Sequence, residues 1–439
     1  MDIPDKYKVE HLFLLIGENP LPNYVAAKLL FKEGKKKTLY LIHTTGTSET
    51  AERLQEILES DIEVQLVSIN DNDSDAHEIR KVISEELENI KLDNNEKIGL
   101  NYTGGTKAMS VHSYRSLFYQ EQNSQYIKRS NIVLSYLDAR RLEMCFDRED
   151  GESDRYKVTP EMLEVNLKTI FELHGWKFKS EPVYQPKLFE ATKALTEFFQ
   201  EKTWSDVWQN WCKEVFKYKD KNDNDREKRR KDKDIMILQF QPIRVEIYEG
   251  FNAIKNVINL EKEEPKNFLE SIKNKGQFKK LEKLGKWLDG EWLEHYVLQQ
   301  VINISEELSI HDQAASFHVS TTQNPKDNKF EFDVSFMRGY QLFAISCTTD
   351  STKPLCKSKL FEAYIRAQQL GGSEARVALV CCVDVKTVDR LKTEITNVFN
   401  PDPESSKKDY RLEVFGREDL IDLSTKIKTW IKNVDKEAK

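Results

Sequence analysis

The chain has 439 residues, too many for one domain of ordinary size, and 39% of them are hydrophobic, enough to give each of about two or three domains a core. A formal net charge of −7 excludes a global positive field that would draw the whole molecule onto nucleic acid, so any such binding must use a local patch. No apolar run approaches the roughly 20 residues of a membrane span, the first ten residues are charged, and the six cysteines include no C-x-x-C pair; a reduced, cytoplasmic protein with no membrane contact is expected. The eight histidines form no H-E-x-x-H or paired arrangement, which disfavours a histidine-ligated metal.

In chain order, residues 11–16 read as an apolar strand closed by Gly17-Glu18-Asn19-Pro20, and a helical pattern follows through Tyr24, Val25, Leu29 and Phe31. Strand, helix and strand in succession mark a parallel α/β sheet. The next strand, 38–43, ends in Thr44-Thr45-Gly46-Thr47, and Ser48 is placed to cap a helix over 49–58. A strand over 63–69, an acidic turn, a helix over 76–90 and a strand over 97–100 lead to Asn101-Tyr102-Thr103-Gly104-Gly105-Thr106-Lys107, with a helix predicted over 108–118. Strands at 131–137 and 143–146 end the first domain, 1–150, and 147–154 reads as a polar linker.

The loop from Thr103 to Lys107 joins a strand to a helix through two adjacent glycines. Its hydroxyls, turn amides and ammonium can converge on one anion, most simply a phosphate. The spacing is neither the Walker pattern nor Gly-x-Gly-x-x-Gly, and a structural turn explains it equally well. Gly17, Asn19, Thr44 and Thr45 stand at neighbouring strand ends, where open parallel sheets bind ligands. Helix capping accounts for Asn19, Thr44 and Thr45 as readily as ligand contact does. The run from Asn101 to Met109, N-Y-T-G-G-T-K-A-M, resembles the ligand loop of CARF domains, the sensors of cyclic oligoadenylate in type III CRISPR defence. The resemblance implies a Rossmann-like sensor domain that binds the cyclic nucleotide across a dimer interface. It also implies Thr103, Gly104, Gly105, Thr106 and Lys107 as ligand contacts, and cyclic tetra-adenylate as the favoured ring.

The middle region, 151–289, opens on Thr159-Pro160, a helix start with threonine as cap, for a helix running to Leu173. Residues from about 180 to 290 are helical in pattern, with a strand pair expected at 235–240 and 243–248 that would suit a winged helix. Between Lys217 and Lys233 basic and acidic residues alternate. A solvated loop or frayed helix is the favoured reading there, and phosphate contact by Arg229 and Arg230 the minority one.

The last part, 290–439, starts with a helix over 290–302 that carries Trp292-Leu293-Glu294. A strand over 330–336 places Glu331 and Asp333 on one face, and a turn leads to a second strand over 341–347, giving a hairpin. Two carboxylates at that spacing, with a third from a helix, can hold a hard divalent cation, although a strand with two solvent-facing acids has the same spacing. A helix over 359–370 ends at Gly371-Gly372, and a strand over 376–383, a helix, a strand over 410–415 and a helix over 417–434 complete the chain.

The order W-L-E, E-F-D-V, A-I-S-C and F-E-A-Y-I-R-A-Q-Q-L-G-G resembles the restriction-endonuclease-like PD-(D/E)XK α/β domain of CARF-fused nucleases. The resemblance implies Glu294, Glu331 and Asp333 as holders of Mg2+ or Mn2+, with Ser346-Cys347-Thr348 where the superfamily has acid-x-Lys. Ser346 takes the place of the acid and Thr348 that of the lysine that steadies developing charge. Lys353, Lys357 and Lys359 follow closely, and Lys357 or Lys359 is a candidate to replace it. The whole chain is then expected to be a homodimeric, cyclic-oligoadenylate-activated, metal-dependent endonuclease acting on DNA or RNA. The alternatives are an inactive ligand-gated regulator that binds nucleic acid and a protein that sequesters or cleaves the cyclic nucleotide.

Overall fold

The computed structural model describes residues 2–90, 96–122, 125–148, 150–220, 226–238, 245–257, 268–321, 330–399 and 410–438. The first domain comprises β1 (His11–Leu15), α1 (Leu21–Leu29), β2 (Thr38–His43), α2 (Ser48–Leu58), β3 (Glu63–Ser68), α3 (Ala76–Asn89), β4 (Ile98–Asn101) and α4 (Lys107–Phe118). A small hairpin of β5 (Tyr119–Gln122) and β6 (Gln125–Lys128) precedes β7 (Ile132–Asp138), β8 (Glu143–Asp147) and β9 (Ser153–Lys157). The main sheet has the order β3-β2-β1-β4-β7-β8-β9. Its first five strands are parallel and the last two antiparallel.

Helices cover both faces, so the central strands are apolar along their whole length. Period two sends Leu12, Leu14, Leu39 and Leu41 into one core with Ala26 and Leu54. It sends Phe13, Leu15, Tyr40 and Ile42 into another with Ile79, Ile83 and Leu117. The expected linker across residue 150 is instead the turn into β9. Ion pairs hold this strand, with Arg155 and Lys157 3.8 and 3.4 Å from Glu143. Charged cross-strand partners explain why the segment reads as polar linker.

The second part comprises α5 (Leu167–Leu173), β10 (Trp176–Phe178), α6 (Phe189–Phe198), α7 (Lys202–Phe216), β11 (Lys217–Asp220), β12 (Arg226–Arg229), α8 (Asp232–Leu238), α9 (Val245–Val257), α10 (Phe268–Lys275) and α11 (Leu281–Lys286). It continues through α12 (Trp292–Ser305), β13 (Asp312–Thr321), β14 (Phe330–Arg338), β15 (Gln341–Thr348), α13 (Lys353–Gly371), β16 (Arg376–Cys381), α14 (Val385–Phe399), β17 (Leu412–Phe415) and α15 (Leu423–Glu437). Its sheet runs β10-β13-β14-β15-β16-β17, antiparallel up to β15 and parallel thereafter.

Several expectations change here. The helix predicted from Thr159 begins only at α5, where the Asn166 side chain accepts the Thr169 amide at 2.8 Å and supplies the cap. The strand pair that would suit a winged helix is two helices, α8 and α9, with 239–244 outside the described residues. Tertiary packing overrides the strand-like runs, because Ile235, Phe251 and Ile254 are buried in the same core as Trp208. The segment from Lys217 is neither loop nor frayed helix but a hairpin tied down by Asp289, which lies 2.9 Å from both Lys217 and Arg229. Arg230 covers the ring of Tyr218 at 5.6 Å.

The helical middle is not a separate module. Phe199, Trp208 and Trp287 share one core with Trp292, Phe336, Phe343 and Trp430 of the C-terminal sheet and its helices. The opposite face of that sheet joins the first domain, since Phe317, Leu342 and Leu370 cluster with Phe171, Leu54 and Leu12. Among the described residues no helix is long and apolar enough to cross a membrane.

Candidate functional site

From β1 the first sheet grows in two directions, through β2 and β3 on one side and through β4 and β7 on the other. At such a switch point the loops leaving the carboxyl ends part, and ligands of open α/β sheets bind there. The four loops at this edge touch. A Cβ on Gly17 would lie 3.2 Å from the Gly105 nitrogen, the Thr106 hydroxyl donates to the Asp73 carbonyl at 2.8 Å, and the Thr45 amide donates to the Asn70 carbonyl at 3.1 Å.

Both loop glycines are dictated by the strand beneath. A Cβ at Gly104 would sit 2.2 Å from the Leu15 carbonyl oxygen, and Gly105 has φ +71°. Asn23, fully buried on α1, donates to that same carbonyl at 2.9 Å, and its buried Oδ1 has no partner among the described residues. Nothing in the sequence pattern marks Asn23 as part of this edge. Asn101 accepts the Thr103 amide at 3.2 Å, and the Thr103 hydroxyl accepts the Leu137 amide at 2.7 Å.

Three of the predicted contact residues also act as caps. Thr106 accepts the Met109 amide at 3.2 Å, Asn19 accepts the Leu21 amide at 3.0 Å, and Thr44 exchanges bonds with Thr47 at 3.0 and 3.1 Å. A hydroxyl that accepts one bond keeps further capacity, so capping leaves ligand contact open. Thr45 and Lys107 are exposed on this rim. The ammonium of Lys107 stands in the first turn of α4, where the helix dipole and free amides already favour an anion.

The second cluster lies where β14, β15, α12 and α13 meet. Asp333 is buried on β14, and its Oδ2 accepts the Ser346 hydroxyl at 2.8 Å and the Cys347 amide at 2.7 Å. Lys359, from the first half of α13, brings its Nζ to 3.9 Å from the same oxygen. Glu294 is buried on α12 and accepts a hydrogen bond from the Ser316 hydroxyl. Ser316 stands opposite Asp333 in a ladder that pairs its neighbours Ala315 and Phe317 but skips it, and it has φ +54°, a left-handed backbone unusual in a strand. Sequence reasoning missed it, as it missed the whole of β13.

Burial first, and then the charge of Asp333, pushes the Glu294 carboxyl well above the usual carboxylate range. Burial also raises Asp333, against the opposing pull of Lys359, the Cys347 amide and Ser346. Asp333 in turn raises the Lys359 ammonium, which stays charged. Two buried acids that repel each other fit a hard divalent cation, which removes the repulsion that burial magnifies. Among the described residues no three His, Cys, Asp or Glu side chains gather round one point. The predicted three-acid set is therefore not gathered round one point: Glu331, at the mouth of the cleft, contacts Lys286 at 3.6 Å and His318 at 3.7 Å.

Of the two candidate lysines, Lys359 reaches the cluster and Lys357 does not. Lys357 pairs with Glu394 of α14 at 3.1 Å, and Lys353 contacts the same carboxylate. Two positions along a helix turn a side chain through about 200°, which sends Lys357 and Lys359 to opposite sides. Thr348 accepts the Asp350 amide at 3.2 Å, so the position of the missing lysine serves the turn after β15.

Comparison with known proteins agrees with both halves. Residues 12–138 match the family model of the Card1 CARF domain, and residues 281–434 match that of the Card1-like endonuclease domain. No curated protein sequence matches the chain. Among solved structures, protein VC1899 from Vibrio cholerae is similar over 96% of this chain and 98% of its own, with 16% identity and a TM-score of 0.63. Can2 from Sulfobacillus thermosulfidooxidans, in complex with cyclic tetra-adenylate, is similar over 97% and 98%, with 16% identity and a TM-score of 0.62. At that identity the two structures speak for the fold, and the family models speak for the domains. The chain therefore carries two domains of the Card1 type, a CARF domain over residues 12–138 and an endonuclease domain over residues 281–434.

Proposed function

We propose that this endonuclease is switched on by a cyclic oligoadenylate bound at the four-loop edge of the first sheet, and that it acts as a cytoplasmic homodimer in type III CRISPR defence. The observation that carries the reading is the pairing, in one chain, of an anion-favouring rim around Lys107 with a buried acid pair facing Lys359. The fold shared with Can2, whose structure holds cyclic tetra-adenylate, makes that ring the first to test. Gly17, Asn19, Thr44, Thr45 and the loop from Thr103 to Lys107 would line the ring, with the partner's copy of this edge closing over it.

In the endonuclease domain, Asp333 and Glu294 would hold Mg2+ or Mn2+, with Glu331 at the mouth as a further oxygen donor. The chemistry such an ion would supply there is polarisation of a phosphoryl oxygen and a lowered pKa for an attacking water. Ser346 and the Cys347 amide fix the orientation of Asp333, and Lys359 offers a charged donor to the developing negative charge on the phosphoryl group. This position for Lys359 favours an active enzyme over an inert nucleic-acid binder, because the role vacated at Thr348 is filled from α13. The test is incubation with single-stranded DNA, supercoiled DNA and RNA, with Mg2+ or Mn2+, with and without each cyclic oligoadenylate. Cleavage that needs both a ring and a metal is the expected outcome, and binding without cleavage under every condition would transfer the reading to the inert regulator.

A further inference from the structure

The α13 helix presents a second cation to the cleft that holds Asp333 and Lys359. The cleft, about 160 Å³, is lined by Glu331, Asp333, Ser346, Lys359, Glu362 and Arg366 among its polar side chains. Lys359, Glu362 and Arg366 fall at spacings of three and seven residues, which puts all three on one face of the helix. The Arg366 guanidinium lies over the Phe330 ring at 5.0 Å from its centre, and Nη1 donates to Gln369 at 3.3 Å. Among the described residues its buried Nε has no hydrogen-bond partner and its guanidinium forms no ion pair. The ring steadies the guanidinium from one side, and Nη2 with the second hydrogen of Nη1 is left for a bidentate acceptor, which is how arginine takes a phosphate.

We infer that Arg366 grips a backbone phosphate of the nucleic-acid substrate, two or three nucleotides away from the one that reacts beside Lys359. The cleft is smaller than the roughly 300–1,000 Å³ of pockets that enclose a small molecule, so the strand crosses its mouth rather than turning a base into it. Seven residues of helix separate the two cations by about 10 Å, and one strand carries a phosphate about every 3.4 Å along a duplex. Glu362 stands between them and repels phosphate, which keeps the two cations as separate points of contact. The inference rests on the endonuclease reading and deepens it by assigning a substrate contact.

The test uses the full-length Asp333→Asn chain, so that bound substrate survives, with cyclic tetra-adenylate and Mn2+ present. Affinity for short fluorescein-labelled single-stranded DNA, duplex DNA and RNA is read by anisotropy from about 50 to about 200 mM salt. Adding Arg366→Gln should weaken binding on the order of 10-fold or more and lower the slope of log affinity against log salt by about 0.7 on single strands or about 0.9 on duplex. Arg366→Lys, which keeps the charge, should keep the slope. An unchanged slope in Arg366→Gln, or an equal loss in both variants, overturns the assignment. No binding by the parent to any of the three overturns the endonuclease reading along with it, and the arm that binds tightest identifies the strand chemistry.

Discussion

At the scale of single residues, the two sites respond to substitution for different reasons. Gly104 has no room for a Cβ, since the Leu15 carbonyl would lie 2.2 Å away and cannot yield as a side chain would. Gly104→Ala should therefore lift the loop off β1, weakening cyclic tetra-adenylate binding at least tenfold by isothermal titration and lowering the melting temperature together. Lys107→Ala removes only an exposed ammonium, and should cost affinity by roughly 1.5 to 3 kcal/mol without a change in melting temperature. In the endonuclease domain, Lys359→Ala should lower the cleavage rate by a factor on the order of 10². Lys357→Ala, which breaks only the contact with Glu394, should leave the rate within about twofold of the parent. Equal losses from both lysines would place the reacting phosphate elsewhere on α13. His174 sets a pH limit on the fold. Its Nδ1 donates to the Ile170 carbonyl at 2.9 Å, and burial pushes its imidazole down to about 4. An unfolded chain takes up that proton near 6.5, so between about pH 6.5 and 4 the unfolded state binds more protons and stability falls as pH falls. The loss approaches about 3 kcal/mol at the acid end. In His174→Gln, denaturant midpoints across that window should decline less steeply than in the parent.

At the scale of elements, α13 joins the two halves of the molecule. Its first half carries Lys359 to Asp333, and at its end Gly372 turns the chain with φ +62° against Asn19 in the loop after β1. A Cβ on Gly372 would meet the Asn19 amide nitrogen at 2.6 Å, in a backbone conformation that already disfavours L side chains. Gly372→Ala should lower stability by about 1 kcal/mol or more, read as a shifted denaturant midpoint. The sequence shows a helix over 359–370 and its glycine stop, but not the earlier start at Lys353, because Pro354 reads as a break although proline is at home in the first turn. The hairpin of β14 and β15 is legible from its period-two pattern and the Arg338-Gly339 turn. Its other neighbour, β13, is not, since small and polar residues such as Ala314, Ser316 and Ser320 obscure the alternation that its pairing with β14 imposes. The helices α8 and α9 are hidden in the same way, because short apolar runs look alike in a strand and in a buried helix.

At the scale of the whole molecule, the sequence announces two α/β domains through local motifs, while their connection depends on contacts between residues far apart in the chain. The Gly104-Gly105 loop and the Glu331-Phe332-Asp333 strand can be read in place. The burial of Asn23, the Ser316 support of Glu294 and the shared core of Phe171, Phe317 and Leu342 cannot, because no periodicity encodes them. The two functional sites lie on different sheets with separate side-chain sets, so occupancy of one and chemistry at the other should be separable. A ligand bound only by the folded protein stabilises it by about 2.7 kcal/mol at a hundredfold excess over Kd. Asp333→Asn alters the acid cluster alone, so it should abolish cleavage while keeping the full rise in melting temperature with cyclic tetra-adenylate. Lys107→Ala should do the opposite, shrinking that rise and shifting activation to higher ligand concentration, with the same maximal rate once saturated. Measuring melting temperature and cleavage side by side on parent and both variants, across a ligand titration, decides the matter. If Asp333→Asn also loses the ligand-induced rise, or Lys107→Ala stays slow at saturation, the ring and the reacting phosphate share one site, and the separation of sensor from nuclease fails.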